Sequence, residues 1–141
     1  LENHREEYCQ RRKAISAERD WDGWIAFFLR ATIVQARQNI GRVEAIKSLY
    51  DEMKVAIHET THSQYSVHLL DAIFSKPIFR TSDLAQKLIA EYGIHEKTAL
   101  ALLRQLRDAG ILRELQAGSG RRAATLCFPR LINLAEGREI L

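Results

Sequence analysis

Two cysteines, two prolines and one methionine are all that 141 residues contain of those three types. Each scarcity closes off a class of protein. Cys9 and Cys127 lie far apart, and neither has a CxxC partner. That argues against a disulfide framework or a cysteine-held metal and leaves two ordinary buried thiols as the expectation. Pro77 and Pro129 alone interrupt the chain, and it holds no internal repeat or low-complexity tract. No apolar run approaches the roughly 20 residues of a membrane helix, and no charged start followed by an apolar stretch resembles a signal peptide. A cytoplasmic chain with no membrane partner is therefore expected. With 46% hydrophobic and 28% charged residues, it has the means to bury a core as one or two small globular units.

What is present is best read from Thr81 to Phe128. Leu84, Ala85 and Leu88 recur at three and four residues, which predicts a helix with Thr81 or Ser82 placed to accept its first amide hydrogen bonds. It should stop near Tyr92-Gly93. A second helix opens around His95, repeats Ala99, Leu102, Leu103 and Leu106 on one face, and ends at Gly110, which tolerates the left-handed conformation. Ile111, Leu112 and Leu115 read as a strand, Gly118-Ser119-Gly120 as a turn, and Ala124 to Phe128 as a second strand. Arg121 and Arg122 fall at the hairpin tip. Two helices followed by a basic hairpin predict a winged helix-turn-helix.

The first half should be helical. Glu2 to Ile15 reads as a charged helix, Ser16 to Asp20 as a polar break, and Asp20 as the N-cap of a second, longer helix. From Trp21 a stripe runs through Ile25, Phe28, Leu29, Ile33, Ala36, Ile40, Val43, Ile46, Tyr50, Met53 and Ile57 in steps of one, three or four. About 40 residues in one rod would extend about 60 Å, too long for a small core to cover. Gly41 would bend such a rod without ending it, since a mid-helix glycine costs only about 1 kcal/mol. A stripe of Leu29, Ile33, Ile40, Val43, Tyr50, Met53 and Ile57 thus calls for a partner: a second copy, giving a homodimer, or a domain missing from this chain.

The expected architecture is mainly α: a helical region over 1–65, an α+β winged helix-turn-helix over 66–130, and a short C-terminal helix or tail over 131–141. Net charge is +3. Residues 1–65 carry ten basic and ten acidic side chains, whereas 66–141 carry eleven and eight, so the whole excess sits on the expected winged helix.

LENHREEYCQRRKAI followed by DWDGWIAFFLRATIVQAR resembles the end of a Fic (filamentation induced by cyclic AMP) domain, where an HR-x-EYY helix precedes a GDW-x-x-W-x-x-FFL helix. LLDAIFSKPIFRTSDLA resembles the opening of the winged helix that many Fic proteins carry after a linker helix. Cys9 departs from the pattern, standing where the family often has Tyr, and residues 58–65 match nothing in it. The resemblance implies the C-terminal region of a protein adenylyltransferase, whose upstream Fic domain transfers AMP from ATP to a protein hydroxyl through HxFx[D/E]GNGRxxR. That motif is missing here: none of His4, His58, His62, His68 and His95 is followed by Gly-Asn-Gly-Arg.

His58-Glu59-Thr60-Thr61-His62 is HExxH, which on a helix sets two imidazoles one turn apart beside a carboxylate, and His68 stands at the spacing of a third zinc ligand. Tyr65 occupies the position where such a site needs glycine, no strand-like run precedes His58 to hold substrate, and Met53 lies upstream, so there is no Met-turn. Solvated histidines at a helix end are the expectation, with no metal and no cofactor. A zinc-dependent hydrolase is the remote alternative.

In a winged helix the second helix enters the major groove, which makes Lys97, Thr98, Ala101, Arg104 and Gln105 the candidate DNA contacts together with Arg121 and Arg122. Leu100 and Ala101 are apolar and Glu96 repels phosphate, so the face is poor in base-reading groups. DNA binding through phosphates is the first expectation, and a protein-interaction or dimerising module that regulates the Fic domain is the alternative. Because the phosphate-cradling motif is absent, this chain should transfer no AMP to itself or to added protein. Incubation with labelled ATP checks this, and label on protein that depends on the chain would contradict it.

Overall fold

The computed structural model describes residues 5–141. Glu2 to His4, the expected start of the first helix, lie outside them. The order is α1 (Arg5–Glu18), α2 (Trp21–Thr61), α3 (Ser66–Ser75), β1 (Ile78–Arg80), α4 (Thr81–Tyr92), α5 (Glu96–Asp108), β2 (Arg113–Gln116), β3 (Thr125–Cys127) and α6 (Pro129–Glu136). Two compact units divide the chain, Leu1–Val43 and Glu44–Leu141, with the boundary inside α2.

In the first unit, α1 runs on through Ser16, Ala17 and Glu18, where a polar break was expected. Ala and Glu are strong helix formers, and nothing before Arg19 stops the helix. The break is made by Arg19 alone, at φ 56°, and by Asp20. Asp20 caps α2 as expected: its Oδ1 accepts from the Gly23 amide at 2.9 Å. Gly23 allows this, because a Cβ there would collide with the Asp20 carboxylate. Phe27 is the buried anchor, with Trp24 tilted against it and the Tyr8 ring edge-on to Trp24. Cys9 is exposed on the charged α1, which corrects the expectation that both thiols are buried.

α2 passes through Gly41 without interruption, and a Cβ at that position would meet nothing within 4 Å. Its stripe divides. Leu49, Met53 and Ile57 are buried in the second unit, with Ile46 and Tyr50 packed beside them. Leu29, Ile33, Ile40 and Val43 are between 51% and 66% exposed. Met53 and Ile57 are thus unavailable to a partner. Tyr50 is half-buried, its phenol donating to Asp71 Oδ1 at 2.6 Å, a bond that, ahead of burial, raises its pKa.

The second unit is an α+β winged helix. Gly93 ends α4 in the left-handed region, its amide reaching Ile89, and Ile94 then drops into the core. His95 caps α5, its Nδ1 accepting from the Lys97 amide at 3.3 Å. Ala99, Leu102, Leu103 and Leu106 are all buried, as the spacing predicts. The three strands are antiparallel in the order β1-β3-β2. β1 is too short to register as a pattern in the sequence, yet it supplies the cap of α4: the Thr81 amide donates to Ala124 O at 2.9 Å, and neither Thr81 nor Ser82 caps with its side chain. The first strand of the hairpin begins two residues later than expected, because the amides of Ile111 and Leu112 are spent on Leu106 O at the end of α5.

α6 starts at Pro129, whose fixed φ suits a first turn. Arg130 grips Glu52 of α2 through two bonds of 2.7 and 2.8 Å, which hold the Glu52 carboxyl below its usual range. The tail folds back on Asn133, which accepts from the amides of Ile140 and Leu141.

The division of the stripe has a measurable consequence. Met53→Ala should cost roughly 2–5 kcal/mol of stability as a buried truncation. Ile33→Ala should shift it by no more than about 0.5 kcal/mol as a surface change. Denaturant unfolding followed by circular dichroism checks the pair, and equal costs would show that one continuous surface is buried.

Candidate nucleic-acid interface

The amphipathic register of α5 fixes which side chains face outward. With Ala99, Leu102, Leu103 and Leu106 turned in, Lys97, Thr98, Ala101, Arg104 and Gln105 are all exposed, and Leu100 is half-buried. Lys97, Ala101 and Arg104 follow one another at four and three residues, a line along the helix with cations at either end and a methyl group between. Arg107, one turn further, is committed: its Nη2 lies 2.8 Å from Asp108 Oδ1 and its Nη1 3.7 Å from Glu114 Oε2 on β2. Lys97 and Arg104 have no ion-pair partner among the described residues.

Beside α5 lies a cleft lined by Thr81, Leu100, Leu103, Arg104, Arg107, Ala124 and Leu126. Its floor is apolar and two guanidinium groups stand at its edge. Because Ala124 and Leu126 belong to the returning limb of the wing, Arg104 and the wing border one surface.

The wing closes through a tight turn in which the Ser119 amide donates to Arg122 O at 3.0 Å and the Arg122 amide to Ser119 O at 2.9 Å. Gly120 takes φ 55°, a conformation that glycine adopts freely. Gly118 lets the two limbs approach, since a Cβ there would stand 3.1 Å from Ala124 N and Arg122 O. Arg121 and Arg122 are both exposed. They are held differently: Arg122 Nη2 donates to Gln116 Oε1 at 2.8 Å, whereas Arg121 has no side-chain partner among the described residues. Arg80, exposed at the end of β1, and Gln116 were not foreseen. Arg80 follows from a strand too short to recognise, and Gln116 from a side-chain bond across the hairpin that has no signal in spacing.

The HExxH residues do not converge. α2 ends at Thr61, and His62 lies beyond it at φ 47°, so the second imidazole leaves the helical position that the motif requires. His58 Nδ1 lies 3.3 Å from Ser66 Oγ. His68 is stacked on Tyr92, with ring centroids 4.0 Å apart. Among the described residues no three His, Cys, Asp or Glu side chains are grouped to hold a metal ion. Cys127 is buried, and burial pushes its thiol pKa up, away from reactivity.

Residues 49–122 match the model of a family described as "Protein adenylyltransferase SoFic-like, C-terminal domain". The matched span is more than half of the chain. It begins at Leu49, the first side chain of α2 buried in the second unit, and ends at Arg122 on the wing.

Proposed function

The chain belongs to the family of SoFic-like C-terminal domains of protein adenylyltransferases, and from that premise we propose that its winged helix-turn-helix binds duplex DNA, mainly through backbone phosphates. The observation that carries this is the set of uncommitted cations around one surface: Lys97 and Arg104 on α5, and Arg121 on the wing. Phosphate binding needs exposed cations free of competing carboxylates. Base reading is sparse, with Ala101 at the middle of the outward line and only Arg104 and Gln105 able to pair with guanine or adenine. Binding should therefore be weak and broadly tolerant of sequence, a bacterial transcription-regulator-like role in a cytoplasmic protein. AMP transfer belongs to a parent adenylyltransferase and its Fic domain, since the motif for it is missing from this sequence.

A second reading rests on a different surface. Leu29, Ile33, Ile40 and Val43 form an exposed apolar line on α2, which a second copy of the chain would bury in a homodimer. Tyr50, Met53 and Ile57 take no part, being packed against the winged helix. On this reading the module docks protein and regulates the Fic domain, with or without DNA.

Replacing Arg121 and Arg122 together by Ala should weaken binding to many duplexes alike and flatten the dependence of log affinity on log salt by roughly 0.9 per lost contact, near 2 in all. Arg104→Ala should instead reduce preference for a cognate site, by about 1–3 kcal/mol if the pair with guanine is bidentate. Fluorescence anisotropy at several salt concentrations separates the two. No salt-dependent binding by the unmodified chain at about 50 mM salt, where phosphate contacts are strong, would leave protein docking as the function. For the second reading, sedimentation at micromolar concentration should show a dimer that Ile33→Asp with Ile40→Asp dissociates. A 16.2 kDa species alone would remove that reading.

A further inference from the structure

The two wing arginines are adjacent in sequence and equal in charge, yet their side chains are not equivalent. Arg122 is tied back along the hairpin by its bond to Gln116 on β2, and its backbone closes the turn in two bonds with Ser119. Arg121 occupies the second central position of that turn, directly after Gly120, and its guanidinium is exposed without a hydrogen-bond partner among the described residues. A side chain at the point of a two-residue turn projects beyond both limbs. One held along the limb cannot.

We propose that the wing divides its labour: Arg121 enters the minor groove, while Arg122 is fixed against a backbone phosphate by Gln116, a positioning residue. Holding one guanidinium in place lowers the conformational entropy lost when it meets its phosphate. The free one reaches the narrow, strongly negative groove of A·T-rich duplex, where arginine is favoured and where only guanine presents an obstructing 2-amino group. This rests on the DNA-binding reading, and the test tells the two apart.

The full chain is titrated with a G·C-rich duplex and with the same duplex in which inosine replaces guanine. Inosine removes the minor-groove amino group and leaves the major-groove edge unchanged. The unmodified chain should bind the inosine duplex roughly fivefold more tightly, the scale of one lost or gained groove contact. Arg121→Ala should abolish that preference. Arg122→Ala should keep it, lower affinity for both duplexes, and reduce the salt slope by roughly 0.9. Gln116→Met should weaken binding to both duplexes about equally, and should have no further effect once Arg122 is already Ala, an interaction that a merely structural role would not show. Equal loss of preference in the two arginine variants, no preference in the unmodified chain, or a Gln116→Met effect that persists without Arg122 would overturn the division while leaving DNA binding intact. No duplex binding at all would overturn both.

Discussion

Burial of Leu49, Met53 and Ile57 in the second unit is the contact on which the rest depends. These three side chains of α2 share one core with Leu69, Leu70 and Ile73 of α3, Leu88 of α4, Leu103 and Leu106 of α5, and Phe128. A winged helix of this size has too little apolar surface of its own to spare any of it. The last turns of the long helix therefore belong to the domain, and the family match beginning at Leu49 falls where this burial begins. Polar ties reinforce the seat: Tyr50 to Asp71 and Glu52 to Arg130 join α2 to α3 and to α6. The Glu52 pair is exposed, so its contribution is one of orientation more than of stability.

With the core fixed in this way, the outward face of α5 is determined, and so is the fate of each cation around it. Arg107 is consumed in holding α5 to β2 through Glu114, and Arg130 in holding α6 to α2. Arg122 is held by a neutral acceptor, Gln116, which positions the guanidinium without neutralising it. Lys97, Arg104 and Arg121 remain. A net charge of +3 says little about a partner, whereas the sorting of cations into structural and uncommitted groups says where a polyanion would sit.

Much of the second unit was legible in sequence because helical periodicity and glycine punctuation agree there. Ala99, Leu102, Leu103 and Leu106 are buried as spaced, and Gly93 and Gly110 take the left-handed conformations that end their helices. Legibility fails where tertiary bonds replace local ones. The cap of α4 is a carbonyl, Ala124 O, supplied from more than forty residues away, and no serine or threonine pattern reports that. The delayed start of β2 has the same origin, since Leu106 O claims two amides that an apolar run assigns to a strand. The α2 stripe was correct as a pattern and incomplete as an interface. Periodicity shows which side of a helix is apolar, and says nothing of how far along it the neighbouring domain reaches. Spacing likewise placed three histidines for zinc, and the left-handed turn at His62, with His68 against Tyr92, sends them apart.

The claim that α5 and the wing form a nucleic-acid surface is tested most directly by titrating isotope-labelled chain with a short duplex and following backbone amide shifts residue by residue. If these elements bind DNA, the amides of Lys97 to Gln105 and of Ser119 to Arg122 should move together and saturate at one affinity, while those of Leu29 to Val43 stay in place. Shifts confined to the Leu29 to Val43 segment, or none at α5 and the wing under low salt, would contradict it.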